Sequence, residues 1–275
     1  MEGDQIGEME RASQVEQLST QAVQTFAREF HVCEMFLFGS YEKKMHDRYS
    51  DVDFHVVSQN FDATMSQLWH TLSGIGPVLV AFPLAAHVGY VAYMVLFEKY
   101  PLYTKLDINI SDTKNNGPIA SKTGVYQRAV IPPNAASTFL PALFEEPLNT
   151  LYGCYLGAIR YMKYRKREKH FSAYKFSRAQ LDHHLLRWYR EVSHERSIER
   201  LGILEYQVLD TREESTALKR YWYPENEHTM DMFYLELLQN MTYELKSHLD
   251  ENHEKASRAI LNFLTQEAGE EDIHR

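Results

Sequence analysis

The fold is decided by the stretch at residues 36–57, FLFGSYEKKMHDRYSDVDFHVV. It predicts a strand that ends at Gly39 and Ser40, then a loop, then a second strand that begins at Asp51. Asp51 and Asp53 are two residues apart, so their side chains lie on one face of this strand. The apolar residues that alternate along the strand, Val52, Phe54 and Val56, face a core. Neighbouring carboxylates repel each other, and the pattern therefore predicts a cation between them. A hard divalent ion such as Mg²⁺ suits oxygen ligands of this kind.

A third acid follows on another alternating segment, residues 105–110, KLDINI. Its apolar side chains form one face, and Lys105, Asp107 and Asn109 form the other. If this strand lies beside the one that begins at Asp51, Asp107 joins the first two carboxylates. Three acids on adjacent strands predict a site for one or two Mg²⁺ ions, and the Gly-Ser turn offers backbone N–H groups to phosphates. Together these parts favour phosphoryl or nucleotidyl transfer by metal-assisted displacement.

The composition is that of a folded protein with one large or two ordinary domains. The chain has 275 residues, of which 44% are hydrophobic and 24% charged, and its net charge is −9. The negative charge argues against a long nucleic acid as the main partner. No secretory signal or membrane-spanning apolar run is visible, and two cysteines are too few for a disulfide scaffold. We therefore expect a cytoplasmic protein with no membrane association.

The pattern along the chain changes near its middle. A capping-box pattern at Ser13 and Glu16 predicts a first helix over 13–30, and about five strands follow before residue 113. Turn clusters predict a connection between domains in 113–140, and helical periodicity dominates afterwards. The predicted fold class is α/β (α+β). A domain at 1–140 with a mixed sheet of about five strands precedes a C-terminal helical bundle at 141–275.

The order of a Gly-Ser turn, nine residues, Ser-Asp-x-Asp and a later lone Asp resembles the nucleotidyltransferase superfamily related to DNA polymerase beta. It looks most like the branch that modifies aminoglycoside and lincosamide antibiotics. The resemblance is carried by residues 35–57 and by Asp107, and it is only architectural from residue 141 onward. It implies a catalytic α/β domain followed by a helical domain, with ATP as co-substrate and two Mg²⁺ ions as cofactors.

The resemblance also implies roles for individual residues. Gly39 and Ser40 fall where the family contacts the triphosphate, and Ser50 and Lys44 are further candidates for nucleotide binding. Lys44 stands where many members carry a second glycine. The metal ligands implied by position are Asp51, Asp53 and Asp107, and Asp107 is also the first candidate for the general base. Two further candidates for the base are Glu145 and Glu146, although acids at a helix entry commonly serve the helix itself.

The implied reaction moves AMP, or another nucleoside monophosphate, from a nucleoside triphosphate to a hydroxyl of a small acceptor and releases pyrophosphate. An aminoglycoside is the first candidate acceptor, because the last third of the chain is strongly acidic. A lincosamide is an alternative, as is a protein or tRNA. An alternative of another class is a nucleotide-binding regulator without turnover. The sequence leaves open whether the protein is a monomer or a homodimer.

Three weaker features are open to two interpretations each. His55 lies on the carboxylate face, where it could line a nucleotide pocket. A packed or hydrogen-bonded histidine is the more common case. The basic cluster at 160–169 suits either a triphosphate clamp or a solvated helix end. The aromatic cluster at 221–223 suits stacking on an acceptor, although ordinary packing between helices is the more common role.

Overall fold

The strands of the N-terminal half form one mixed sheet in the computed structural model. The structure describes residues 2–43, 45–114, 123–128, 137–180 and 225–269, and it describes the side chains of the first helix from residue 14 onward. The strands are β1 Val32–Phe38, β2 Val52–Ser58, β3 Val78–His87, β4 Tyr90–Phe97, β5 Leu106–Asp112 and β6 Thr123–Gln127. Their order across the sheet is β3-β4-β5-β2-β1-β6. Only β2 and β5 pair in parallel, and the other neighbours are antiparallel.

The predicted α/β class with a mixed sheet is confirmed, and the sheet has one strand more than expected. The additional strand, β6, lies inside the segment 113–140 that was predicted to connect two domains, so that prediction is wrong at 123–127. The strand is short, lies at the edge of the sheet and carries Gly124. Such a strand gives little hydrophobic alternation, because none of its five residues is buried.

Two helices cover one face of this sheet, α1 Glu2–Phe26 and α3 Phe61–Ile75, and the short helix α2 Gly39–Glu42 follows β1 directly. The core between helices and sheet contains Phe26 and Phe54, whose ring centroids lie 5.7 Å apart. The predicted helix start at Ser13 is wrong, because α1 begins at Glu2. The first turns of α1 are polar, and a polar extension gives no periodic apolar signal.

The described helices of the second half are α4 Leu148–Lys166, α5 His170–Gln180, α6 Glu227–Glu244 and α7 Glu251–Gly269. Helix α4 packs against each of the other three, and its tyrosines make several of the contacts. The hydroxyl of Tyr152 lies 2.8 Å from Nδ1 of His253, and the rings of Tyr161 and Tyr234 are 5.5 Å apart. The predicted helical character of this half is confirmed for these residues.

The chain divides into two compact units, Met1–Phe144 and Glu145–Arg275. The sheet with α1 to α3 belongs to the first unit, and α4 to α7 belong to the second. None of the described helices combines the length and the apolar composition that crossing a membrane requires.

Candidate active site

The pairing of β2 with β5 places two of the predicted acids side by side. The two strands are parallel, and Asp53 is the register partner of Asp107. Residues aligned in this way present their side chains on the same face of a sheet. The neighbouring positions Val52, Phe54 and Leu106 are fully buried on the other face. The carboxylates therefore stand at the edge of the sheet where β1 ends and where β2 and β5 begin.

Lys105 lies between two of the three acids. Its Nζ is 3.1 Å from Oδ2 of Asp51, and it also donates a direct hydrogen bond to Oδ2 of Asp107. The lysine side chain is 7% exposed, whereas those of Asp51 and Asp107 are 21% and 23% exposed. The ammonium is thus enclosed, while both carboxylates remain accessible to a ligand from solvent.

The surroundings of Lys105 keep its ammonium charged. Burial alone lowers the pKa of this amine, but the charges of Asp51 and Asp107, together with hydrogen bonds to both, outweigh burial and raise the pKa overall. The repulsion between neighbouring carboxylates required a cation, and in this structure Lys105 supplies it for Asp51 and Asp107.

The expectation that Asp51, Asp53 and Asp107 together hold one or two Mg²⁺ ions stays a prediction. Among the residues that the structure describes, no group of three His, Cys, Asp or Glu side chains is placed to hold a metal ion. The ammonium of Lys105 lies between Asp51 and Asp107. The donor chemistry still suits magnesium, because partly exposed carboxylate oxygens are ligands that Mg²⁺ accepts.

The turn after β1 is packed tightly against Asp53. Gly39 has φ of +69°, and a Cβ at this position would lie 1.9 Å from Oδ2 of Asp53. The register agrees with this contact, because Phe38 pairs with Asp53 across β1 and β2. Only glycine allows both the backbone conformation and the close approach. The structure therefore brings the Gly-Ser turn, with a half-buried Ser40, to the same place as the carboxylates.

The loop before Asp51 is organised by Asp47 and Ser50. The Ser50 hydroxyl donates to Oδ1 of Asp47 and accepts from the Asp47 backbone N–H, both at 2.9 Å. The backbone N–H of Tyr49 donates to the same carboxylate oxygen at 3.0 Å. Ser50 is buried, so in this structure its hydroxyl shapes the loop that delivers Asp51. Lys44, the other candidate for nucleotide binding in this loop, lies outside the described residues.

The two glutamates considered for the general base belong to the second unit. Glu146 accepts hydrogen bonds from the backbone N–H of Thr150 at 3.2 Å and from its hydroxyl at 2.5 Å. It therefore caps the first turn of α4, which is the ordinary role of an acid at a helix entry. Glu145 is exposed just before that helix.

The weaker candidates have mainly internal partners. His55 is buried, and its Nε2 lies 2.9 Å from the hydroxyl of Ser111, as expected for a hydrogen-bonded core histidine. Within the basic cluster, Arg165 pairs with Asp231 and Lys166 pairs with Glu267 inside the second unit. The aromatic cluster at 221–223 lies outside the described residues.

Sequence reasoning placed Lys105 on the correct face but gave it no part in the site. The signal was its position two residues before Asp107, because alternation puts positions 105 and 107 on the same side. Its partner Asp51 is far away in sequence, and only the parallel pairing of β2 with β5 makes the contact visible.

Residues 20–83 match the family model described as nucleotidyltransferase domain. The matched segment contains the Gly39-Ser40 turn and both Asp51 and Asp53, which are the residues that define the edge of the sheet described above. The match supports a nucleotidyltransferase domain that includes this segment, and it supports a nucleotidyltransferase enzyme.

A similar solved structure is that of the STING-associated CdnE c-di-GMP synthase from Capnocytophaga granulosa. The two chains are 12% identical, the match covers 95% of this chain and 81% of that chain, and the TM-score is 0.27. A likeness of this degree carries no argument about substrate or site. No curated protein matches the chain.

Proposed function

We propose that the protein transfers a nucleoside monophosphate, AMP in the first instance, from a nucleoside triphosphate to a hydroxyl of a small acceptor and releases pyrophosphate. The observation that carries the proposal is the contact between the Gly39 turn and Asp53, inside the segment that matches the nucleotidyltransferase domain. Asp107 stands beside Asp53 in the parallel register and supports the same site. The first compact unit is then the catalytic domain.

Each residue of this site has its own proposed role. Gly39 and Ser40 offer backbone groups to the triphosphate, and the buried Ser50 holds the loop in place for Asp51. Asp51 and Asp53 would hold Mg²⁺, and Asp107 would be a third ligand or accept the proton of the attacking hydroxyl. When bound, Mg²⁺ neutralises charge on the phosphates and makes the hydroxyl more acidic.

An aminoglycoside is the acceptor that we test first. Such molecules are polycations with many hydroxyl groups, and the last third of this chain is rich in acids. Complementary charge would raise the rate of encounter between acceptor and enzyme. A lincosamide carries fewer charges, and it is the second acceptor class.

The test is a pyrophosphate-release assay with ATP, Mg²⁺ and a panel of aminoglycosides and lincosamides. We expect release that depends on the acceptor. Asp53→Asn should lower the rate by about 10³-fold or more, because the neutral amide is a poor ligand for a hard cation, while the fold is retained. Turnover by this variant at the native rate would contradict the assignment of Asp53.

The matched control is Asp62→Asn, which makes the same chemical change at an exposed aspartate in the first turn of α3. This variant should keep the native rate. Circular dichroism and thermal unfolding of both variants show whether any loss of rate comes from loss of the fold.

The alternatives give different results in the same assay. Release only in the presence of a protein or tRNA would assign a macromolecular acceptor, and binding of ATP without release would assign a regulator. The net charge of −9 makes tRNA the less favoured acceptor. We expect no shift of tRNA in a gel at physiological salt.

A further inference from the structure

We propose that Lys105 is a resident counter-ion of the site, which holds Asp51 and Asp107 together until a divalent cation binds these carboxylates and replaces it. The proposal rests on the proposed function, because it describes how the nucleotidyltransferase site changes from the form that holds the ammonium of Lys105 to the form that holds the divalent cation. It makes Lys105 a positioning residue that acts through the acids.

The first step of the argument is the geometry. One ammonium group lies within hydrogen-bond distance of carboxylates from two segments, the loop before β2 and the start of β5. The backbone is joined at the same place, since the N–H of Val52 donates to the carbonyl oxygen of Lys105 at 2.9 Å. The lysine thus connects the two segments through both its main chain and its side chain.

The second step concerns charge. Two carboxylates placed around one point repel each other, and an enclosed ammonium is stable only while acids surround it. Lys105 therefore stabilises Asp51 and Asp107, and these two acids stabilise its ammonium. The ion pair is buried on the side of the lysine and open to solvent on the side of the acids.

The third step is the exchange. A divalent ion that binds Asp51 and Asp107 has to occupy the place where the ammonium now lies, because both compete for the same oxygens. Binding of the ion therefore includes the cost of moving Lys105 away. A neutral side chain at position 105 removes this competitor, and it also removes the counter-ion on which the unliganded form depends.

The experiment compares thermal unfolding of the native protein, Lys105→Met and Lys105→Arg, each in EDTA and in Mg²⁺ without nucleotide. In EDTA we expect Lys105→Met to unfold about 10 °C below the native protein, because two acids lose their buried partner. With Mg²⁺ we expect Kd to be about tenfold tighter for this variant, which corresponds to a rise in Tm about 3 °C larger than in the native protein.

Lys105→Arg keeps the positive charge and can pair with carboxylates, so it should restore most of the Tm in EDTA and lose the additional response to Mg²⁺. The control is Lys99→Met, a lysine of the same unit whose exposed ammonium donates to the amide oxygen of Gln21. Its response to Mg²⁺ should equal that of the native protein, since the group that accepts its hydrogen bond is a neutral amide.

A second measurement uses the native protein and does not require a variant to fold. Lysines are acylated with an amine-reactive ester in EDTA or in Mg²⁺, and the modification is quantified by mass spectrometry. We expect modification of Lys105 to increase severalfold in Mg²⁺, while the exposed Lys175 in the other unit remains unchanged.

Equal responses of the native protein and Lys105→Met to Mg²⁺, or unchanged acylation of Lys105, would overturn the exchange. If that equal response disappears in Asp53→Asn, the metal site of the proposed function stands and only the role of Lys105 is lost. If no variant responds to Mg²⁺, the exchange is overturned together with the metal in the proposed function, and the pyrophosphate assay then decides on the transfer reaction itself.

Discussion

Gly39 is the residue at which the geometry leaves the least freedom. A methyl group there would overlap the carboxylate of Asp53, and the positive φ adds strain for any other residue. Gly39→Ala should therefore displace Asp53, lower kcat/KM by about 10²-fold and reduce the free energy of unfolding by about 1–3 kcal/mol. Steady-state kinetics and urea unfolding measure the two effects.

The control for this substitution is Gly124→Ala on β6. Among the described residues, a Cβ at Gly124 would meet the ring of Phe36, at an ordinary contact distance of 3.7 Å. We expect little change in stability or rate from it. If Gly39→Ala behaved in the same way as this control, the close packing of the turn against Asp53 would have no functional meaning.

At the level of single residues, the sequence indicated the candidate site residues but not the residues that they contact. Alternation and spacing selected Asp51, Asp53 and Asp107, because side-chain direction in a strand follows from position alone. The ion pairs of Lys105 and the hydrogen bonds of Ser50 with Asp47 depend on where the chain returns in space. No local pattern contains that information.

Helices α4 and α6 are joined by a buried charged group. Arg165 donates to Glu227 at 2.5 Å and lies 3.3 Å from Oδ2 of Asp231, and the same aspartate accepts a hydrogen bond from Tyr161. Arg165→Met leaves the buried acid without its cation and should lower the free energy of unfolding by about 3–5 kcal/mol. Urea unfolding followed by circular dichroism measures this loss.

The comparison variant is Lys175→Met, which removes a positive charge from an exposed position of α5. Surface changes of this kind usually alter stability by about 0.5 kcal/mol or less. A loss of similar size in both variants would show that the Arg165 and Asp231 pair contributes no more than a surface charge.

Individual helices and strands were predictable where they carry a periodic apolar face. The expected helical half is confirmed by helices such as α7, whose buried Ile260 and Leu264 recur at helical spacing. The early start of α1 and the edge strand β6 were missed for the opposite reason. Each is stabilised by what it adjoins, a longer helix in one case and β1 in the other.

The whole molecule should lose stability in alkali. Burial is the main cause that raises the pKa of the hydroxyl in each of four tyrosines of the second unit, Tyr152, Tyr155, Tyr161 and Tyr234. A raised pKa in the folded state means that the folded state retains these protons when the unfolded state releases them. The stabilisation is complete below the unfolded pKa of about 10 and declines as the pH rises above it.

Each such tyrosine should lower the free energy of unfolding by about 1.4 kcal/mol per pH unit above pH 10. Urea unfolding between pH 8 and pH 11 gives the slope. Tyr155→Phe should make the slope shallower, while Tyr243→Phe, at a position that is 76% exposed, should leave it unchanged. A flat profile in this range would mean that the buried hydroxyls titrate equally in both states.

At the scale of the whole chain, the change from mixed sheet to helices was readable because strand and helix periodicities differ. The fold class and the nucleotidyltransferase character are confirmed. The acceptor was not readable, because its recognition depends on surfaces assembled from distant segments. The acidic balance of the last third gives a direction for the search without identifying a molecule.

The parallel pairing of β2 with β5 also determines when the proposed site can form. All of α3, β3 and β4 lies between the two partners along the chain. A nascent polypeptide that has emerged only as far as β4 possesses the turn and the first two acids, yet it lacks Lys105 and Asp107. Long-range closure of this type is slow compared with local structure. The nascent chain should consequently show no transfer activity until β5 has left the ribosome.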